Sequence, residues 1–596
     1  MCGIFGYSGN KNSNDLVFNG LKRLEYRGYD SWGIAVLDGN KIYQYKDIGL
    51  VKQNPKLKKL PKSNVGIGHT RWATHGGVTK TNAHPHISTN GDFTLVQNGM
   101  VENFDALKRE LRKDGYKFES QTDTEVIVKI VERELKKNIS FKKALMTAFK
   151  RLEGRNTVAV LDAKSNKIYA IKNGSPLVVG IAKDGIYLAS DSLSFSPHTK
   201  KIIVLDDYDM VEIDGKDYVV SNIKDGKKKK PEIRTLKYQY EDIDKGKYPH
   251  FMLKEIVEQQ RTILYATDYN EKELEPLVKQ IRKSRKVYLL GAGTAGFAAG
   301  QIAFFLRTIA KVDAMEIKSY EFKSYLPVIS SKDLIIAISQ SGETADTIEP
   351  LEVFKKEGCK IASIVNMYGT TISRMSDYEY YTNAGPEICV ASTKVFTAQS
   401  AWGYLLSMTL AGKYKTARSK LKKLTKSLDE MFSKKSFNYI KNKICKTLVD
   451  KEHFFILGKG ENASIAYEGA LKIKEISYKH VEGFSAGELK HGVIALIEKG
   501  TPVIGIIPSG EHMDDSKDLI SGMEQVKARG ALTIGIGASE YSGLEIFDYY
   551  ISTPQINTLG SIANVIPFQL ISYFLSVLLG NNIDKPRNLA KSVTVK

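Results

Sequence analysis

Val287-Tyr288-Leu289-Leu290-Gly291-Ala292-Gly293 is an apolar strand running into a glycine turn, and the chain repeats it as Phe454-Phe455-Ile456-Leu457-Gly458-Lys459-Gly460. Gly291 and Gly458 are 167 residues apart. A second pair keeps the spacing: Ile335-Ile336-Ala337-Ile338-Ser339-Gln340-Ser341-Gly342-Glu343 returns as Val503-Ile504-Gly505-Ile506-Ile507-Pro508-Ser509-Gly510-Glu511, with Gly342 and Gly510 168 apart. Two motif pairs at nearly one offset predict two copies of a single α/β unit, each a parallel sheet flanked by helices. They are expected over residues 277–420 and 440–585, joined by a connection at Leu421 to Lys435.

Upstream the pattern changes. Residues 1–220 read as a domain of short strands, among them Trp32 to Leu37, Lys41 to Tyr45, Val65 to His69, Phe93 to Gln97 and Thr157 to Asp162. Amphipathic helices are expected near Asn103 to Asp114 and Thr124 to Lys136. Residues 221–276 read as a linker and connecting helix, with the run Lys227 to Lys230 in a loop, and 586–596 as a tail. The fold class is thus multidomain, α+β followed by α/β.

Composition narrows the function. The 596 residues are 42% hydrophobic, enough for several cores. The apolar stretch Val565 to Leu579 is broken by Pro567, Gln569, Ser572 and Ser576 and is shorter than the ~20 residues of a membrane span, so it is expected as a buried helix. No signal-like segment opens the chain. Cys2, Cys359, Cys389 and Cys445 are scattered without metal spacing, which suits a reducing cytoplasm. The formal charge of +20 comes from lysines spread along the whole chain, with no basic stripe interleaved with aromatics. That pattern argues against nucleic acid and suits an anionic substrate.

Four motifs carry chemistry. Cys2 follows Met1, so removal of Met1 would give one residue both a thiol and the α-amine that can serve as its base. Ser339-Gln340-Ser341-Gly342-Glu343-Thr344 sits between a strand and a helix, and its hydroxyls and backbone N–H groups suit a monophosphate. The second copy, Pro508-Ser509-Gly510-Glu511-His512, has lost most of the hydroxyls, so the first copy alone is expected to hold phosphate. Gly291, Gly293 and Gly296, with Asp313 downstream, match a dinucleotide fingerprint, which the hydroxyl cluster makes unnecessary. Lys472 and Glu475 share a helix face, with His491 nearby: an acid, a base and a histidine for proton transfer, or a surface ion pair.

Taken together, the motifs resemble the isomerising glutamine–fructose-6-phosphate aminotransferases, the glucosamine-6-phosphate synthases, along essentially the whole chain. Cys2-Gly3-Ile4 resembles the N-terminal nucleophile of their class II glutamine amidotransferase domain, an Ntn-hydrolase αββα fold. Leu24 to Ser31 is similar to a segment bordering that site, and Gly68 to Gly76 to the glutamine-binding loop. Asn98-Gly99 resembles the oxyanion hole and Thr122 to Glu125 the segment gripping the substrate amine. The repeats resemble sugar-isomerase (SIS) domains, and Pro586 to Val595 the family's terminal signature.

The resemblance implies conversion of fructose 6-phosphate and L-glutamine to glucosamine 6-phosphate and glutamate, the step committing sugar to amino-sugar synthesis. Neither metal nor cofactor is implied. It implies Arg71, Trp72, Thr74, His75 and Asp123 as glutamine-binding residues, with Trp72 also gating an internal ammonia passage. It implies Thr294, Ser339, Gln340, Ser341, Thr344 and Ser392 around the sugar phosphate. Glu475 with Lys472 would move the proton, Lys591 would form a Schiff base, and His491 would open the ring in the neighbouring subunit of a homodimer. Ala295 stands where the family commonly has serine, a possible loss for phosphate binding. A phosphoribosyl-transferring or ATP-dependent amidotransferase would need loops that are not found here. A non-enzymatic sugar-phosphate sensor would leave Cys2, Glu475 and Lys591 idle.

Overall fold

A computed structural model describes residues 2–236, 244–508 and 513–592. The chain forms two units, Met1–Ile243 with Ala590–Lys596, and Asp244–Leu589.

In the first unit, two antiparallel sheets lie face to face. The eight-stranded sheet runs Arg234–Thr235, Lys201–Val204, Val178–Ile181, Gly185–Ala189, Gly3–Gly9, Val65–Arg71, Ser31–Asp38, Lys41–Ile48. The seven-stranded sheet runs Lys228–Lys229, Asp217–Asn222, Asp209–Asp214, Lys167–Asn173, Asn156–Asp162, Phe93–Gly99, His86–Ile87. Strand alternation divides the apolar residues between two faces. Ile4, Ile67, Val96, Ala159 and Leu161 fill one cluster between the sheets. Phe5, Tyr7 and Trp32 point the other way, against Val17 and Leu21 of the helix Ser13–Leu24. The helices Phe104–Lys113, Thr124–Leu135 and Phe141–Phe149 cover the second sheet through Leu107, Val128 and Leu145. The layering is αββα.

The segment 221–276 differs from its expected role as a linker. Lys228–Lys229 pairs with Val220–Ser221, and Arg234–Thr235 with Lys201–Ile202, so both sheets gain edge strands from it. Lys227 to Lys230 is therefore not a plain loop: Lys229 bridges Asp209 at 2.6 Å. Downstream, the helices Phe251–Val257 and Gln259–Ala266 bury Met252, Ile256 and Ile263 in the second unit's core.

The second unit contains the two copies. Each five-stranded sheet is parallel, and each runs second, first, third, fourth, fifth strand in chain order. The first holds Ala314–Lys318, Val287–Gly291, Leu334–Ser339, Lys360–Val365 and Tyr378–Tyr381; the other holds His480–Ser485, His453–Gly458, Pro502–Ile506, Leu532–Gly537 and Tyr549–Ser552. Gly293 and Gly460 share the same φ of 55°. One apolar core runs through both copies, joining Leu289 and Ile336 to Ile456 and Ile504. The helix Ile566–Leu579 lies in it. Asn557–Leu579 is long and apolar enough to cross a membrane, but 83% of its apolar window is buried inside the protein, as a core helix would be.

Candidate functional site

Strand register carries Cys2 to its place. Gly3 pairs with Thr70, so the residue before it meets the end of Val65–Arg71. Cys2 Sγ lies 3.3 Å from the Trp72 N–H, which donates to it, and 3.5 Å from the Trp72 carbonyl. Burial pushes the Cys2 thiol above its ordinary range, so at neutral pH it is protonated. Among the described residues, Sγ hydrogen-bonds only the Trp72 backbone. No side-chain base hydrogen-bonds Sγ among the described residues.

Asn98 reaches the same point from the facing sheet. Its Nδ2 donates to Ser190 Oγ at 2.7 Å and to the Cys2 carbonyl at 3.2 Å. Gly99 follows with φ 113°, and a Cβ there would lie 1.9 Å from the Arg155 carbonyl, so no other residue fits. Arg27 Nε donates to the Cys2 carbonyl at 3.3 Å, and Tyr26 hydrogen-bonds Asp191.

Arg71 holds its own loop. Its guanidinium donates to the carbonyls of His75, Gly76 and Gly77. Thr74 is exposed, while His75 is half-buried, its ring edge-on to Phe104 at 5.0 Å. Asp123 is buried and accepts from the Val101 N–H at 2.8 Å, and burial raises its carboxyl above the ordinary value. Sequence reasoning assigned no role to Asp30, which accepts from the Ala73 N–H at 2.8 Å and pins the root of the loop.

In the second unit the strand order itself makes a site. With the first and third strands adjacent, their carboxyl ends open a crevice at a topological switch point. Leu290 pairs with Ala337, so the turn after Gly291 and the Ser339–Thr344 loop emerge side by side. Ser339 Oγ accepts from the Gly342 N–H at 3.0 Å and Ser341 Oγ from the Glu343 N–H at 3.2 Å. Gly342 has φ 66°, and a Cβ there would lie 2.1 Å from Thr370 Oγ1. Thr344 is the N-cap of Ala345–Lys356 but makes no side-chain cap hydrogen bond, so capping does not account for its hydroxyl. Pro508 is described, but Ser509 to His512 lie outside the described residues, and with them the contrast between the copies.

The dinucleotide reading fails on geometry. Asp313 precedes the strand Ala314–Lys318 and pairs with Lys286 at 3.6 Å, at the amino ends of the strands. An acid that binds a ribose must stand at the carboxyl ends. Among the described residues no three metal-ligating side chains converge.

Helix Ala463–Ser477 places Glu468, Lys472 and Glu475 on one face by their spacing. Lys472 Nζ is 2.5 Å from Glu475 Oε2 and 3.5 Å from Glu468 Oε1. It also donates to Thr294 Oγ1 at 3.0 Å, and Thr294 donates to Glu468 Oε1 at 3.3 Å. Thr294, expected at the phosphate, thus has its hydroxyl in this cluster. Lys472 is fully buried and Glu475 keeps 18% exposure, so they are not a surface ion pair; Glu468 is fully buried as well. Burial pushes the Glu468 carboxyl up to about 8. Burial works to lower Lys472, but the Glu468 and Glu475 carboxylates outweigh it and hold the ammonium above its ordinary value.

Ser392 donates to Glu387 Oε2 at 2.8 Å. His491 ends a short 3-10 helix, Ala486–His491, and is exposed. The tail begins at the end of the Glu475 helix: the Arg587 N–H donates to Tyr478 Oη at 2.9 Å and its guanidinium stacks on that ring at 4.2 Å. Lys591 lies beyond Leu589, in the segment that groups with the first unit.

Known proteins match both units. A glutamine amidotransferase domain family matches residues 69–196, and the SIS domain family matches 280–408 and 447–579. The chain is 42% identical over 612 residues to a glutamine–fructose-6-phosphate aminotransferase (isomerizing) of Thermococcus kodakarensis, covering 100% of both chains. It is 41% identical over 605 residues to the Pyrococcus horikoshii protein of the same name, again covering 100% of each. The C-terminal domain of glucosamine-fructose-6-phosphate aminotransferase from Francisella tularensis superposes with a TM-score of 0.53 at 30% identity, covering 58% of this chain and 100% of that one. With its cysteine-led sandwich, its paired SIS sheets and relatives alike over their whole length, the chain belongs to the isomerizing glutamine–fructose-6-phosphate aminotransferase family.

Proposed function

We propose that the chain converts L-glutamine and fructose 6-phosphate to L-glutamate and glucosamine 6-phosphate, with the steps divided between its two units. The observation that carries the sugar half is the 3.0 Å hydrogen bond from Lys472 to Thr294. It ties the acid–base helix of one copy to the glycine turn of the other, beside the Ser339–Thr344 loop. That link supports a single site for phosphate capture and proton transfer.

In the first unit, Cys2, freed of Met1, attacks the glutamine amide with its α-amine as base. Asn98 Nδ2 and the Gly99 N–H stabilise the oxyanion, at ~3–4 kcal/mol per donor in comparable sites. Arg71 and Asp123 take the substrate's carboxylate and ammonium, with Thr74 and His75 at the loop that covers them. The ammonia released is a nucleophile only while unprotonated, and at neutral pH water would convert it to ammonium. An internal passage gated by Trp72 avoids that loss.

In the second unit, Ser339, Gln340, Ser341 and Thr344 hold the phosphate at the start of Ala345–Lys356, where backbone N–H groups favour an anion. Ser392, whose hydroxyl donates to Glu387, joins them in binding the sugar phosphate. The sugar opens, Lys591 forms a Schiff base with the ketose, and ammonia displaces it. Glu475 then carries a proton between C1 and C2, and Lys472 balances its charge through the exchange. His491 is exposed and hydrogen-bonds nothing among the described residues, which supports service in the neighbouring subunit of a homodimer. Free buried thiols at Cys359, Cys389 and Cys445 support a reducing cytoplasm.

Two variants test the division. Cys2→Ala should abolish glutaminase activity. Glu475→Gln should lower synthase activity by roughly 10²–10⁴ while glutamine hydrolysis persists. Parallel loss of both activities in Glu475→Gln, or glutamine hydrolysis by Cys2→Ala, would refute it.

A further inference from the structure

His69 lies inside the glutamine-loop motif and has no role in the steps above. It is completely buried on the strand Val65–Arg71. Its Nε2 is 2.9 Å from the Gln97 carbonyl and 3.1 Å from Asn98 Oδ1. A backbone carbonyl can only accept, so Nε2 carries the proton. That tautomer in turn fixes the Asn98 amide: its oxygen must face His69. The amide nitrogen therefore faces the other way, where Ser190 Oγ and the Cys2 carbonyl accept from it.

The ring is also held neutral. Burial lowers its pKa to about 3. It stacks on His84 at a centroid distance of 4.1 Å and 18°. His84 accepts the Gln97 N–H through Nδ1 at 3.3 Å, and its Nε2 meets Thr124 Oγ1 at 3.2 Å. Thr124 donates to Gln97 Oε1. Gln97, whose carbonyl sets the His69 tautomer, is thus itself held through its N–H and its side chain. A catalytic base must stand near the atom it takes a proton from; burial keeps the His69 ring neutral, and among the described residues Sγ hydrogen-bonds Trp72 and not His69.

We propose that His69 is a positioning residue for the oxyanion: its Nε2–H orients the Asn98 amide so that the donor end faces the carbonyl that Cys2 attacks. Without it the amide can rotate and present oxygen to a developing negative charge. The proposal rests on the assignment of Cys2 and Asn98 above. It predicts a loss confined to steps that build an oxyanion, because hydrogen-bond donors help most where charge develops.

The experiment compares His69→Leu, which has no donor, with His69→Gln, whose amide N–H reaches roughly as far as the imidazole Nε2. Glutaminase kcat and KM are measured alongside the rate of Cys2 alkylation by iodoacetamide, a displacement with no oxyanion. His69→Leu should lose on the order of a hundredfold in kcat with KM and alkylation little changed, and His69→Gln should recover most of it. If His69→Leu does not fold, His69→Asn replaces it, since its shorter side chain cannot reach Asn98. Equal kcat in the Gln variant and in the Leu or Asn variant would overturn the proposal. So would a parallel fall in alkylation. Failure of the underlying assignment reads out separately, as glutamine hydrolysis persisting in Cys2→Ala.

Discussion

Lys472 Nζ and Glu475 Oε2 stand 2.5 Å apart on one helix, and the same ammonium is 3.5 Å from Glu468. One cation therefore serves two carboxyl groups that differ in burial: Glu468 is fully enclosed, whereas the Glu475 side chain keeps 18% exposure. The proposed proton transfer falls to Glu475, the more exposed of the two. Glu468 also accepts from Thr294.

Glu468 makes stability depend on pH in a defined direction. Its carboxyl is pushed up to about 8 by burial, against an ordinary 4.5. Between these values the folded protein keeps a proton that the unfolded chain has lost, so stability falls as pH rises through that window and levels off above it. Glu468→Gln lacks this titration. The wild-type advantage in Tm over Glu468→Gln should shrink from pH 5 to pH 8. A constant or widening gap, measured by thermal melts in matched buffers, would contradict the assignment.

The phosphate loop predicts a separable defect. A hydrogen bond to a charged group contributes about 1.5–3 kcal/mol. Ser341→Ala combined with Thr344→Ala should therefore raise KM for fructose 6-phosphate by roughly tenfold or more, with glutaminase activity retained. An unchanged KM in steady-state assays would show that the phosphate binds elsewhere.

The two copies were legible because repetition is written into the primary structure: each copy needs the same apolar strand and glycine turn to bury the same faces. Cys2, Ser339 and Glu475 stand out in compact motifs, whereas Arg71 and Asn98 enter only through the family resemblance. His69 lies within the glutamine-loop motif without a role there, and Glu468 carries no signal of its own in the sequence. Their roles come from tertiary neighbours, Thr294 and Asn98, that lie far from them in sequence. The edge strand Lys228–Lys229 was read as a loop because two exposed lysines carry no apolar alternation, although lysine on an exposed edge protects a sheet from further pairing. Lys591 was legible only through the tail's resemblance. Val593 to Lys596 of that tail lie outside the described residues.

Lys591 nevertheless makes a chemical prediction. Borohydride reduction in the presence of fructose 6-phosphate should trap a sugar adduct on the peptide containing Lys591, and Lys591→Arg should abolish both the adduct and synthase activity. Label on another lysine, or an active Lys591→Arg variant, would remove this residue from the mechanism.

Nitrogen transfer between the two chemistries is the most direct test. The protein is supplied with fructose 6-phosphate, amide-¹⁵N glutamine and an excess of unlabelled ammonium, and the glucosamine 6-phosphate formed is analysed by mass spectrometry. Coupled hydrolysis at Cys2 and amination beside Glu475 predict a product carrying ¹⁵N with little dilution. A product labelled in proportion to the bulk ammonium pool, or no amino sugar at all while glutamine is consumed, would contradict the account.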